Sequence, residues 1–342
     1  MTMIRFFRLC AIVYCLSAAA PANAAGPIRL MSDPAVSPDG QTVAFRYAND
    51  IWLVPSAGGA AQRLTVHPGR DSEPLFSPGG KHLAFISDRT GSSQVYVVSL
   101  DAGVPRQVTH HTEGYSLEDW SADGTQLLAS ATRDHFWRRS ERFFKVPVDE
   151  RRADELVFDA YGSDGRWSPD GNRLLYVREG TRWWRKGYQG SQAAQIWLYD
   201  AAEETHQKLL DDPGGCRWPL WKPDGSGFYY VGAESGSHNL RTYDFATKTT
   251  AAVTSFDDDG VVFPAISRDG STIVFRRLFD LYRYNTAAGG QPEKLELTLT
   301  GDVARDDTLR RTLTTAENLT VTPDGLEFAF VAGGDLWVMD TE

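Results

Sequence analysis

The chain has 342 residues, a formal net charge of −10, and 42% hydrophobic and 12% aromatic residues. That length gives one large domain or two ordinary ones with ample core, and the composition excludes intrinsic disorder. The acidic balance argues against a nucleic-acid partner, since phosphate affinity comes from clustered Lys and Arg.

The first residues read MTMIRFFRLCAIVYCLSAAAPANAAG. Arg5 and Arg8 give a positive start, Leu9 to Ala20 is an apolar run, and Ala22-Asn23-Ala24 fits a small-x-small cleavage site. This pattern predicts a signal peptide over 1–24 and a periplasmic or secreted protein. The run is too short for a stable bilayer helix, and no later segment approaches that length, so no membrane span is expected. Cys10 and Cys15 leave with the signal, and Cys216, in GGCRWPLW, reads as a buried structural thiol.

From there the chain is a repeat. SPDG occurs at Ser37–Gly40 and Ser168–Gly171, with variants ending at Gly80, Gly124, Gly225, Gly270 and Gly325. Asp-Gly between strand-like runs signals a hairpin: Gly supplies positive φ and Asp bonds its own backbone. Recurrence in nearly every unit makes these pairs architectural rather than metal ligands. After each turn comes a run such as QTVAFRY, KHLAFIS, NRLLYVR or STIVFRR, then a third such as NDIWLVP, SQVYVVS or AQIWLYD, then a polar fourth. β-Branched and aromatic residues dominate these runs, so they read as strands. Four strands per unit without an intervening helix pattern predict an all-β fold: a six-bladed β-propeller of four-stranded antiparallel blades over 25–300. A polar connector over 301–317 precedes a partial blade over 318–342. That last motif either completes a seven-bladed ring or opens a second domain.

Chain direction reverses at each hairpin, so the first–second turns share one face and the second–third loops share the other. TRWWRKGYQG, with Trp183, Trp184 and Arg185, is then a second–third excursion of blade four. RDHFWRRSE, with Arg138 and Arg139, is its counterpart in blade three, and Arg276 and Arg277 add cations in blade six. Guanidiniums pair with carboxylates and indoles supply contact area, which suits an anionic, partly apolar ligand such as a peptide C-terminus. The alternative is that these loops fold back to cover neighbouring strands.

The SPDG array, the RR pair, the WWRKGYQG loop, DGVVFPAISRDG with DLYRY, and the GD…RR…T connector together resemble the tricorn proteases, from about Ile28 to the end. The resemblance implies a six-bladed ring followed by a second propeller, a PDZ-containing region and a serine protease core, so that the partial blade opens the second propeller and the catalytic modules are missing here. It also implies that Arg138 and Arg139 hold a substrate's C-terminal carboxylate; for Trp183, Trp184 and Arg185 the resemblance implies no role, and theirs rests on register alone. Peptide or protein substrates are the expected partners, and self-association is left open. An exported protein departs from the cytosolic archaeal members.

No catalytic residue is expected in this chain: there is no G-x-S-x-G, H-E-x-x-H or P-loop. No metal or cofactor is expected either. His110 and His111 would point to opposite faces of a strand, and the DDDG run from Asp257 lacks the spacing of a calcium loop. Competing readings are a free-standing TolB-like interaction propeller of the cell envelope, or a propeller fronting an amidohydrolase.

Overall fold

The Ser-Pro-Asp-Gly segments fold as tight turns that tie off their own polar groups. In the first, Gly40 has φ of +71° and donates its N–H to the Ser37 carbonyl at 2.9 Å, while the Ser37 hydroxyl donates to Asp39 at 2.6 Å. The same hydroxyl then accepts the Thr42 N–H, which starts the second strand. Ser121–Asp123, Ser168–Asp170, Ser267–Asp269 and Thr322–Asp324 repeat the hydroxyl–carboxylate bond.

This computed structural model describes residues 28–101, 103–134, 140–150, 152–180, 182–185, 187–299 and 314–341. The proposed signal peptide, Arg138, Arg139 and most of the connector lie outside them. The chain divides into two compact units, Met1–Gly301 and Asp302–Glu342. Among the described residues no helix is long and apolar enough to cross a membrane.

The first unit holds six antiparallel sheets. Blade one is Ser32–Val36, Thr42–Tyr47, Asp50–Pro55 and Gly59–Arg63, and five more sheets follow in chain order, each pairing its strands consecutively. Their first strands, Ser32–Val36, Asp71–Phe76, Ser116–Trp120, Ser163–Trp167, Cys216–Trp221 and Val262–Ile266, each touch the next, and the last touches the first. The result is a closed ring of six blades with the first strands around the axis.

Hydrophobic packing follows this order. Each junction between neighbouring blades has its own buried cluster: Ala44 and Ile51 of blade one meet Leu83 and Phe85 of blade two, for example, and Leu128 and Phe143 of blade three meet Leu174 and Tyr176 of blade four. Burial of each such large side chain stabilises by about 1.5–3 kcal/mol. Indoles stitch the same junctions: Trp120 Nε1 donates to the Leu75 carbonyl at 3.2 Å, and Trp221 Nε1 to the Arg166 carbonyl at 2.9 Å.

The seam between blades six and one is closed differently. After blade six the chain forms Leu297–Leu299, which pairs in parallel with Gly59–Arg63 and gives blade one a fifth, outermost strand. Leu295, Leu297 and Leu299 pack with Val43, Phe45 and Val54 of blade one and with Val274 and Leu281 of blade six. Gly58 is needed there, because a Cβ would lie 2.8 Å from the Glu296 carbonyl oxygen.

The second unit is a three-stranded antiparallel sheet, Glu317–Val321, Glu327–Ala332 and Asp335–Asp340, built around the turn at Gly325.

Candidate functional site

Pairing register places the two aromatic and cationic loops. Ala131 pairs with Arg142 at the end of the second and third strands of blade three, and Arg178 pairs with Gln195 at the same end in blade four. Both excursions therefore leave from the second–third ends of neighbouring blades. The short Arg277–Asp280 connection of blade six lies at the corresponding end.

Beneath these loops, the first strands carry a repeated irregularity. Ladder register slips between Ser32 and Ala35, Ser72 and Leu75, Ser163 and Arg166, Arg217 and Leu220, and Val262 and Ala265. At each slip a residue other than Gly adopts positive φ: Asp33, Glu73, Asp164, Trp218 and Phe263. Such bulges re-aim side chains and cost backbone strain, and they cluster near functional surfaces. Blade three also slips on its first strand, where Leu117 and Asp119 pair with Ala129 and Leu128 and Glu118 is the extra residue.

These positions give the inner wall two characters. Blades one to four contribute the first-strand carboxyls Asp33, Glu73, Glu118 and Asp164, and Glu141, just before the third strand of blade three, acts on Glu73 and Glu118. Glu73 accepts the Leu117 N–H of the next blade at 2.9 Å, and Glu118 accepts the Gly165 N–H of the blade after that, also at 2.9 Å. Burial, reinforced by the neighbouring carboxyls, pushes Glu73 up to about 7 and Glu118 up to about 8 and raises Glu141, while burial raises Asp164 against the opposing charges of Arg166 and Arg217. Arg166 lies 3.8 Å from the Glu118 carboxyl, and Arg46 pairs with Asp33 at 2.8 Å.

Blades five and six contribute rings. Phe263 packs edge-on against Trp218 at 5.4 Å between centroids, and Trp183 against Phe263 at 5.3 Å. The WWRKGYQG excursion of blade four thus reaches the first strand of blade six and leans over the axis. The Arg276 guanidinium lies 5.1 Å from the Trp183 ring and 5.0 Å from Phe263, and donates to the Ser32 hydroxyl at 3.2 Å.

The two tryptophans have different environments. Trp183 is half-buried in the cluster between blades five and six, so the fold-back alternative describes it well. Trp184, edge-on to Trp183 at 5.7 Å, is 57% exposed, with Arg182 stacked on it at 5.1 Å. Arg185 is exposed and stacks on Tyr188 at 4.7 Å. Replacing Trp183 with alanine should therefore cost about 2 kcal/mol of stability, and replacing Trp184 less than about 0.5 kcal/mol, as read by urea unfolding.

Arg276 and Arg277 also part company. Arg277 turns outward, binds both oxygens of Asp258 at 2.6 and 2.7 Å, and stacks on Phe256. It braces the turn, whereas Arg276 faces the rings. Cys216 is a buried free thiol 3.2 Å from an Asp212 carboxylate oxygen, and burial pushes its pKa up, so it is unreactive. Asp33, Glu73, Asp164, Trp218 and Phe263 escape notice in the sequence because they become equivalent only when the repeats are aligned four residues before each turn, and Glu118 sits one place later.

The model of the tricorn protease N-terminal beta propeller domain matches residues 28–290. The chain belongs to that family. Tricorn protease homolog 1 of Streptomyces coelicolor is 27% identical over 281 residues, covering 77% of this chain and 24% of that protein. The tricorn family chain described here thus spans about a quarter of the length of that relative. Its fold matches a crystal structure of the tricorn protease with a TM-score of 0.70 at 20% identity, over 92% of this chain and 30% of that one. It also matches the β-propeller domain of the Trilobed protease from Pyrococcus furiosus, a domain with open velcro topology, with a TM-score of 0.50 at 16% identity over 92% of this chain and 99% of that one.

Proposed function

We propose that this chain is the propeller portion of an exported tricorn-type serine peptidase. Its ring governs passage of peptides along the axis and anchors the peptide's C-terminal carboxylate, while a second propeller, a PDZ module and the protease core supply the rest. Arg138 and Arg139 hold the carboxylate, and Trp184 and Arg185 flank the apolar part of the peptide. Trp183 sets the position of that loop through its contact with Phe263.

The observation that carries this reading is the inward lean of the blade-four excursion. It places an exposed indole and stacked guanidiniums beside the axial mouth, at the end from which the Arg138–Arg139 loop also springs. A charge-assisted hydrogen bond shielded from water contributes on the order of 1.5–3 kcal/mol.

Free-acid peptides should therefore bind more tightly than their amides, by roughly tenfold or more, with affinity falling as salt rises. Calorimetry on the wild type and on an Arg138→Ala, Arg139→Ala double variant checks this. Equal affinities for acid and amide in both proteins would remove the carboxylate reading. Amino-terminal sequencing of the exported protein, expected to begin at Ala25, tests the signal peptide.

A further inference from the structure

The opposite end of the axis, where the first–second turns meet, carries a different site. Four of the six turns place a proline at the rim: Pro38, Pro78, Pro169 and Pro223. Blade three has Ala122 there and blade six has Arg268, and these two blades face each other across a ring of six. Three of the prolines, Pro38, Pro78 and Pro223, pack toward the next blade's turn. A Cβ on Gly80 would lie 3.6 Å from Pro38, one on Gly124 3.5 Å from Pro78, and one on Gly270 2.3 Å from Pro223. Beyond Ala122 this packing lapses, and nothing lies within 4 Å of a Cβ on Gly171. Into that gap reaches Arg268: its Nη2 donates to the Ala122 carbonyl at 3.2 Å, from the far side of the axis.

The cavity it spans has a volume of about 190 Å3, and all six blades line it. Trp120, Trp167 and Trp221 contribute to its wall, together with Asp119. The Asp119 oxygens accept the Trp120 and Trp167 N–H groups at 2.8 Å each, which fixes the carboxylate in place, and the charges of Arg166 and Arg268 act on it. Arg166 also lines the cup, but its guanidinium is committed to the carbonyls of Glu118 and Gly165. Among the described residues, Arg268 has no carboxylate within ion-pair distance. Around the rim stand the turn carboxylates Asp39, Asp123, Asp170, Asp224 and Asp269, all held below the usual carboxylate range. The serine hydroxyl two residues earlier does most of this for Asp39, Asp123 and Asp170, the Ser226 N–H for Asp224, and, against the pull of burial, the Ser267 hydroxyl for Asp269.

Indoles, a fixed carboxylate, a carbonyl acceptor and an anionic rim are the elements of a guanidinium site. We propose that the axial cup on the turn face is a binding site for an arginine side chain presented by a peptide or protein, and that Arg268 is its built-in competitor for the Ala122 carbonyl at the mouth. With Arg268 in place its guanidinium holds the Ala122 carbonyl and bars the mouth of the cup, while the cup behind it stays open. An incoming guanidinium takes over the Ala122 carbonyl as Arg268 swings out to solvent, to which it is already exposed. No bond is made or broken beyond hydrogen bonds. This site is independent of the carboxylate-binding reading, which concerns the other end of the ring.

The test uses N-acetyl-L-argininamide and its uncharged isostere N-acetyl-L-citrullinamide. Calorimetry compares the wild-type chain with an Arg268→Ala variant, both carrying Arg138→Ala and Arg139→Ala so that the loop face is silenced. The Arg268→Ala protein should bind the arginine compound at least tenfold more tightly than the citrulline compound, and at least tenfold more tightly than the protein that keeps Arg268. Introducing Asp119→Asn into the Arg268→Ala protein should reduce that preference. Matching circular dichroism spectra confirm that the comparison is between folded rings. Failure of the Arg268→Ala protein to bind, or equal affinity with and without Arg268, overturns the proposal and leaves the Arg138–Arg139 reading untouched.

Discussion

Gly260→Ala is expected to destabilise the ring by about 3 kcal/mol or more, and to lower its melting temperature by roughly 6–10 °C. Gly260 ends the DDDG run, between the last strand of blade five and the first strand of blade six. The backbone there runs against the 236–239 segment, and Val261 donates to the His238 carbonyl at 2.8 Å. A Cβ on Gly260 would lie 1.9 Å from that carbonyl oxygen and 2.7 Å from the His238 nitrogen. Backbone atoms cannot rotate away as a side chain would, so the whole inter-blade connection must shift. His238 is buried against Trp218, and the shift would propagate to the inner wall. Gly79→Ala is the matched control, because nothing lies within 4 Å of its Cβ. Calorimetric melting of both variants checks the point; equal, small effects would mean that the blade junction is more yielding than its geometry implies.

The second large effect is a dependence of stability on pH that runs opposite to ordinary acid denaturation. Glu118 and Glu73 titrate near 8 and 7 in the folded ring, raised chiefly by burial, against about 4.5 in the unfolded chain. The folded state therefore holds more protons than the unfolded state between those values. Stability falls as pH rises through this window, by up to about 1.4 kcal/mol per pH unit for each group. The turn aspartates act in the other direction. Their lowered pKa values make them stabilising above about pH 4, and that contribution disappears in stronger acid. Maximum stability is thus expected near pH 5, with a loss on the order of 6 kcal/mol by pH 8. Glu118→Gln keeps an oxygen for the Gly165 N–H and should flatten the alkaline slope, and adding Glu73→Gln should flatten it further. Urea unfolding across pH 5–8 reads the effect. A slope that survives both substitutions would place its origin outside the inner wall.

How much of this was legible in the sequence differs from feature to feature. The ring was, because a Ser-Asp-Gly turn needs only local chemistry and its recurrence fixes the strand count. The common end of the blade-three and blade-four loops was too, since antiparallel pairing leaves no choice of side. The direction of Trp183 was not: whether an indole in a ten-residue excursion faces solvent or a neighbour depends on Phe263, which is eighty residues away in sequence. The positive-φ positions were also hidden, because Asp33, Glu73, Asp164, Trp218 and Phe263 look nothing like the glycines that usually mark such backbone. Arg268 was visible as SRDG in place of SPDG, but only the ring shows that its opposite number is the other proline-free turn.

The parallel strand Leu297–Leu299 has a topological consequence. The four antiparallel strands of each blade are a continuous stretch of chain, so the toroid is a string of six beads whose two ends are clasped at one place, by the single parallel strand added to the outer edge of blade one. Such a string has no privileged starting bead. Cut between any other pair of blades and rejoined at the clasp, it would hold the same six wedge-to-wedge contacts, so where the chain begins is a matter of gene order rather than of packing.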